Sequence, residues 1–435
     1  MSTNLEHLWM PFSANRGFKA QPRLMNEAKG MYYKKLDGTK VLDGTAGLWC
    51  CNAGHGNEKI VKAIQDQAAK LDFAPSFQMG HPLAFQAAEK LLSLAPSDAF
   101  QYAFFTNSGS ESVDTALKIA LGYQQHRGKT DKTILIGRER AYHGVGFGGI
   151  SVGGLPLNKK HFSLLPSVDH ICSTHNLEKN AFSKGQPEWG KELADDLLRV
   201  IEKHGADKIA AFITEPLAGS TGVLVPPKGY LERVREICTK NDILLIFDEV
   251  ITGFGRLGAP FAAQYFNVEP DLITCAKGLT SGTIPMGAVL VKKEIYDAFQ
   301  EGDVKAIDLF HGYTYSAHPL AAAALIATLD VYTDDNLFER TNELASYWGD
   351  ALHSLKGTSH VIDIRNLGLV AGIEMSSREG SPGTRGYDVF TDGFHNHNLL
   401  LRITGDTLAL SPPLIVEKDH IDQIIDILKK IIPTH

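Results

Sequence analysis

The chain has 435 residues, 43% of them hydrophobic and 21% charged, and its 43 basic against 50 acidic side chains leave a formal net charge of −7. Such a length supplies core for two or three domains, and a mild acidic excess without long runs of either sign argues against a nucleic-acid surface or a polybasic membrane patch, leaving small polar metabolites as the natural partners. The five cysteines lack a CxxC spacing and the seventeen histidines lack an HExxH pair, so no metal and no disulfide framework is expected; with no apolar leader over 1–16 and no run of membrane-spanning length, a cytoplasmic protein is expected.

The first fifty residues read as a segment that packs on something else, with Trp9, Phe12 and Trp49 as anchors. Alternation over 31–43 around Asp37-Gly38 predicts a hairpin with a tight two-residue turn. Gly44-Thr-Ala-Gly-Leu-Trp49 reads as an irregular loop, which leaves Trp49 as a pocket wall or a buried structural indole. Next, Ala103-Phe-Phe-Thr-Asn107 is a predicted strand, and Ser108-Gly-Ser-Glu111 has the pattern of a capping box before Val113, Ala116, Leu117, Ala120 and Leu121 at helical spacing. A helix start after a strand offers free N–H groups to a phosphate, with Gly109 and Ser110 as candidates; by itself the turn is also an ordinary cap.

Further strands are predicted at 134–136, leading to Tyr142-His143-Gly144, and at 209–214, ending in Glu215-Pro216. An amphipathic helix over 228–240 leads into the next. Tyr142 follows a strand end and is placed to stack on a flat ring, or to serve as a core tyrosine. Two apolar runs, Ile243-Leu-Leu-Ile-Phe247 and Leu272-Ile-Thr-Cys-Ala276, then end on Asp248 and Lys277. Runs of this kind are strands buried on both faces of a parallel sheet, and ligands in open α/β sheets bind beyond the carboxyl ends of the strands. An acid and an amine there suit pyridoxal phosphate, which needs a lysine for its aldehyde and a carboxylate to keep its pyridine nitrogen protonated. Alternation along the strand puts Asp248 and Val250 on one face and turns Glu249 away. Solvated strand ends are the plainer reading of the pair. A strand over 286–291 and a polar loop, His311-Gly-Tyr-Thr-Tyr-Ser316, follow, with Thr314 a candidate phosphate hydroxyl. After Pro319 the chain has helical character to about residue 355, then strands over 372–375, 399–403 and 407–410 and a last helix from about Lys418.

Taken together, Asn107-Ser-Gly-Ser-Glu-Ser112, Tyr142-His-Gly144, Glu215-Pro216, Phe247-Asp-Glu-Val-Ile-Thr-Gly-Phe-Gly-Arg256, Ala276-Lys-Gly278 and Gly312-Tyr-Thr-Tyr-Ser316 make the whole chain resemble the class III, or ω, aminotransferases, and among them the β-alanine/ω-amino acid:pyruvate enzymes. The resemblance implies an α/β protein of pyridoxal-phosphate fold type I. A large domain over 51–318 would hold a mainly parallel seven-stranded sheet, and a small α+β domain would be built from 1–50 and 319–435. It implies Lys277 as the Schiff-base lysine, Asp248 on the ring nitrogen, Gly109 and Ser110 on the phosphate, and Tyr142 and Val250 on the two ring faces. His143 and Glu215 would complete the cofactor site. Thr314 would reach the phosphate of the neighbouring subunit, hence a homodimer with shared sites, with further pairing into a tetramer left open. Trp49, Tyr142 and Arg402 would meet the substrate, Arg402 through a carboxylate. Relatives acting on γ-aminobutyrate or ornithine carry a glutamate five positions after the Glu of Glu-Pro; here that position is Ser220, which disfavours those substrates.

The implied reaction moves an amino group from an ω-amino acid such as β-alanine, or from a primary amine, to pyruvate, giving alanine and a semialdehyde, aldehyde or ketone. Two alternatives remain open on sequence grounds. One is another fold type I reaction, a decarboxylase or aminomutase. The other is a non-catalytic α/β binding protein, against which the absence of a GxGxxG turn counts only for dinucleotides.

Overall fold

The structure, a computed structural model, describes residues 4–435. After a short helix, Asn15–Ala20, come three short strands: Glu27–Lys29 (β1), Tyr32–Lys34 (β2) and Lys40–Asp43 (β3). β2 and β3 pair antiparallel with Lys34 opposite Lys40, and the Lys35 N–H donates to Thr39 O at 2.9 Å. The loop between them is therefore residues 36–38, one longer than the two-residue turn expected. Gly38 closes it at φ +84°, the left-handed residue that a three-residue hairpin loop requires, and Asp37 Oδ1 accepts the Thr39 N–H at 2.9 Å. Trp9 and Phe12, expected as anchors, are 90% and 78% exposed, whereas Trp49 is buried.

The large domain is organised by Phe100–Thr106 (β4), Ile134–Arg138 (β5), Val168–Ile171 (β6), Ile209–Thr214 (β7), Leu244–Asp248 (β8), Leu272–Cys275 (β9) and Gly287–Lys292 (β10). They form one sheet in the order β4-β10-β9-β8-β7-β5-β6. Neighbours from β6 across to β9 are parallel, and β10 runs antiparallel to both β4 and β9. The sheet is thus mainly parallel, as expected, and β7, β8 and β9 are buried at every position, which is why they read as unbroken apolar runs. β6, Val-Asp-His-Ile, was absent from the expectations because an edge strand carries polar residues.

The small domain joins the two chain ends. Val361–Leu367 (β11) and Val370–Met375 (β12) form a hairpin, followed by Leu399–Leu400 (β13), Arg402–Thr404 (β14) and Thr407–Leu410 (β15). The strand expected over 399–403 is divided at Leu401: β13 pairs parallel with β3, whereas β14 pairs with β15 in a separate sheet ordered β11-β12-β15-β14. The stretch after Pro319 is likewise two helices, Pro319–Asp334 and Leu337–His353, broken where Asn336 turns left-handed at φ +50°. The first is apolar nearly all round and accordingly buried, and its Tyr332 Oη donates to Gly278 O, next to Lys277, at 2.5 Å.

Where the two domains meet, three potential metal ligands converge, His175, Asp363 and Glu374. The Arg365 guanidinium stands among them, bonded to both carboxylates, so a protein cation already occupies the acids.

Candidate active site

The carboxyl ends of the parallel strands share one edge of the sheet, and the connections leaving that edge enclose a cavity of about 380 Å³. Every residue expected at the site lines it except Thr314. Thr314 is exposed on the loop before the helix Pro319–Asp334.

Asp248 is the last residue of β8 and is 5% exposed. Its Oδ1 accepts the Val250 N–H at 3.1 Å, and its Oδ2 lies 2.7 Å from His143 Nδ1. An ionised carboxylate only accepts, so Nδ1 carries the proton of this buried pair. Among the described residues His143 Nε2 has no hydrogen-bond partner. Glu249 points the other way, as alternation requires, and accepts the N–H groups of Ala262 and Ala263 at 2.5 and 2.8 Å.

Lys277 follows β9 at φ +50°, a conformation that L side chains hold only where the surroundings impose it. Among the described residues its Nζ takes no hydrogen bond or ion pair. Burial is the main cause that pushes its ammonium below the ordinary lysine range, and the nearby Arg402 charge acts in the same direction; both favour the neutral, nucleophilic amine.

The helix Gly109–His126 starts at the cavity. Ser108 Oγ accepts the Glu111 N–H at 3.2 Å, and Glu111 Oε2 reaches back to the Asn107 N–H at 2.7 Å, one residue earlier than in a standard capping box. Among the described residues the Gly109 and Ser110 amides donate to nothing. Two glycines keep this end open and close-fitting: a methyl group on Gly109 would lie 2.8 Å from Val250 Cγ1, and one on Gly144 would lie 2.4 Å from Ser110 Oγ.

Glu215 is buried and bridges two connections, Oε1 accepting the Tyr142 N–H at 2.9 Å and Oε2 the Gly219 N–H at 3.2 Å. Burial pushes its carboxyl up to about 7. Tyr142 is thereby fixed on one side of the cavity. Arg402 opens β14 on the small-domain side, and among the described residues it has no acidic partner and its buried Nε no hydrogen bond. Ser220 lines the same wall, and its carbonyl accepts Thr404 Oγ1 at 2.6 Å.

Sequence reasoning missed Phe12, Leu48, Ile251 and Ile403, which also line the cavity. Only the irregular Gly-rich turn before Trp49 pointed toward Leu48; an apolar side chain on a strand end or a terminal segment looks the same whether it faces core or ligand.

A free amine, a buried carboxylate held by an imidazole, and a helix start with two undonated amides between close-packed glycines are the three fixtures that pyridoxal phosphate requires of a protein. Set on the carboxyl edge of this sheet, they define a pyridoxal-phosphate enzyme of fold type I. The family is narrower still. The class-III aminotransferase profile matches residues 13–432, and the chain belongs to that family.

Similar proteins agree. The chain is 60% identical over 432 residues to an omega-aminotransferase of Caulobacter vibrioides, covering 99% of this chain and 98% of that protein. It is 47% identical over 431 residues to the beta-alanine–pyruvate aminotransferase of Pseudomonas aeruginosa, covering 97% and 94%. The crystal structure of the omega transaminase from Pseudomonas jessenii in complex with PMP superposes with a TM-score of 0.91 at 31% identity, covering 99% of this chain and 98% of the other. The chain is an aminotransferase, and its cofactor is pyridoxal phosphate. Among the described residues no helix is long and apolar enough to cross a membrane.

Proposed function

We propose that this aminotransferase moves the amino group of an ω-amino acid such as β-alanine, or of a primary amine, to pyruvate. The products are alanine and a semialdehyde, aldehyde or ketone. The observation that carries the acceptor is Arg402: a guanidinium with a buried, unsatisfied Nε and no acid beside it is a ready partner for a small carboxylate. Ser220, buried on the same wall, has no charge to neutralise it. The names of the relatives from Caulobacter and Pseudomonas support the same substrates.

When bound, pyridoxal phosphate supplies a carbonyl carbon to carry the amino group and a ring to accept carbanion electrons. Lys277 would hold that carbon through Nζ and would be freed when the donor's amine takes its place. Once freed, Nζ would carry the proton from the donor's amine-bearing carbon to the cofactor side in the first half-reaction and in the opposite direction, to the pyruvate carbon, in the second. Asp248 would keep the ring nitrogen protonated, with His143 supporting the carboxylate at 2.7 Å. The Gly109 and Ser110 amides would bind the phosphate and Tyr142 and Val250 would flank the ring, while Glu215 positions Tyr142 by accepting its N–H. Trp49, with Leu48, walls the donor side, and Arg402 orients the carboxylate so that the reacting carbon meets Nζ.

The same reading makes the protein a homodimer, Thr314 completing the phosphate site of the neighbouring subunit. Its exposure beside the exposed Phe77, Phe310 and Tyr315 supports a face that another copy covers. A small domain built from both chain ends is supported by the pairing of β3 with β13.

The test is a panel of amine donors with pyruvate, following alanine. Stoichiometric alanine and carbonyl product is the expected result. Release of carbon dioxide, or an amino group moved within one molecule, would overturn it.

A further inference from the structure

The turn that brings Leu48 and Trp49 to the cavity has a backbone that its own residues disfavour. Ala46, Gly47 and Trp49 take φ of +48°, +66° and +65°. For alanine and tryptophan this is the left-handed region, which persists only where surrounding structure over-determines it.

One buried carboxylate supplies that constraint. Asp43, the last residue of β3, is 0% exposed. Its Oδ1 accepts the Thr45 N–H at 2.9 Å and its Oδ2 accepts the Gly47 N–H at 2.7 Å. The same Oδ2 lies 2.8 Å from Nε2 of His55, which is itself buried to 7% side-chain exposure. Thr45 Oγ1 closes the turn by donating to Gly47 O at 2.8 Å.

From the other side Tyr33 packs against the His55 ring, tilted by 52° with centroids 4.2 Å apart, and its hydroxyl would lie 2.9 Å from a methyl group placed on Gly47. The turn is therefore held between an acid that bonds two of its amides and a phenol that leaves room for no side chain at Gly47. None of Asp43, His55 and Tyr33 lines the cavity.

We propose that Asp43, supported by His55, is a positioning residue for donor selection: it holds the 45–49 turn in its strained form and so fixes where Leu48 and Trp49 stand against the amine donor. This rests on the reading of Trp49 and Leu48 as the donor-side wall. Asp43 touches neither the reacting atoms nor the carboxylate side at Arg402. Loosening it changes which donor is accepted and leaves transfer to pyruvate nearly as it was.

The test uses holoenzyme of the wild type, Asp43→Asn, Trp49→Ala and the double variant, in single turnovers with β-alanine, with the bulky amine 1-phenylethylamine, and with pyruvate. An asparagine keeps the volume but presents an amide N–H toward one of the turn's N–H groups, so one bond is lost. Trp49→Ala is expected to change the ratio of the two donors' second-order rates by roughly tenfold or more, the scale of a reshaped apolar pocket. Asp43→Asn is expected to shift that ratio in the same direction by at least about threefold, with the pyruvate half-reaction within about twofold of wild type. In the double variant Asp43→Asn should add nothing, because its effect runs through the wall already removed.

If Trp49→Ala leaves the ratio unmoved, the donor-side reading fails and the proposal falls with it. If Trp49→Ala moves the ratio and Asp43→Asn does not, or if Asp43→Asn lowers all three half-reactions equally, the proposal alone is overturned. Should Asp43→Asn give no folded holoenzyme, His55→Leu, which removes one partner only, replaces it, with His55→Gln expected to restore the wild-type ratio. Failure of both Asp43→Asn and His55→Leu to fold would assign the pair to the fold and overturn the proposal.

Discussion

His143 Nδ1 donates to Asp248 Oδ2 across 2.7 Å, from the connection after β5 to the last residue of β8, and both side chains are buried. A buried carboxylate persists as a charge only if it is bonded. This imidazole, together with the Val250 N–H on the other oxygen, satisfies the carboxylate while leaving it free to hold a ring nitrogen.

Removing the charge with Asp248→Asn should lower the rate on the order of 10³-fold, the scale on which one preorganised electrostatic partner is felt. His143→Leu keeps the acid but removes its donor and should cost less, about 10–100-fold, as outer partners of functional groups do. Pre-steady-state rates with one donor measure both. A larger loss in the histidine variant would make His143 the residue that meets the cofactor.

Arg402→Ala should weaken pyruvate by about 2–5 kcal/mol, the cost of truncating one side of a desolvated charge pair. A primary amine should react in its own half-reaction with little change, since it has no carboxylate for the arginine to hold. Equal loss in both half-reactions would make Arg402 structural and send the search for the acceptor site elsewhere.

Shared sites can be tested by mixing two impaired parents, Lys277→Ala and a bulky substitution at Thr314. Each should be poorly active alone. In a heterodimer one site would carry both lesions and the other neither, so activity should reappear, up to about half of wild type per heterodimer. Verified heterodimers without recovery would place Thr314 outside the neighbouring site.

Glu215 carries a pH signature. Burial raises its folded value from 4.5 to about 7, so between those values the folded protein holds a proton that the unfolded chain has released. Its contribution to stability is therefore fully present below pH 4.5 and is lost as pH rises through 7. Glu249, also raised to about 7, adds a slope of the same sign. In cofactor-free protein Glu215→Gln should flatten stability against pH in that window by up to about 1.4 kcal/mol per unit. Chemical denaturation at a series of pH values would show it, and an unchanged slope would mean that Glu215 titrates normally.

Much of this molecule was determined by local sequence. β7, β8 and β9 announce themselves because strands covered on both faces must be apolar throughout, and Asp248 and Lys277 stand out because each charge ends such a run. The cap at Ser108 reads from its own four residues. Tertiary structure decided what local pattern leaves free. β6 is an edge strand whose Asp169 and His170 carry no apolar periodicity, and residues 399–403 divide between two sheets because β3, far away in the chain, takes Leu399 and Leu400 as its partners. That pairing joins the two chain ends, so that the turn after Asp43 and the strand of Arg402 face one cavity. Burial and hydrogen bonding at long sequence separation select the strained φ of Trp49 and Lys277, and no propensity of either residue foretells a conformation that its own sterics oppose.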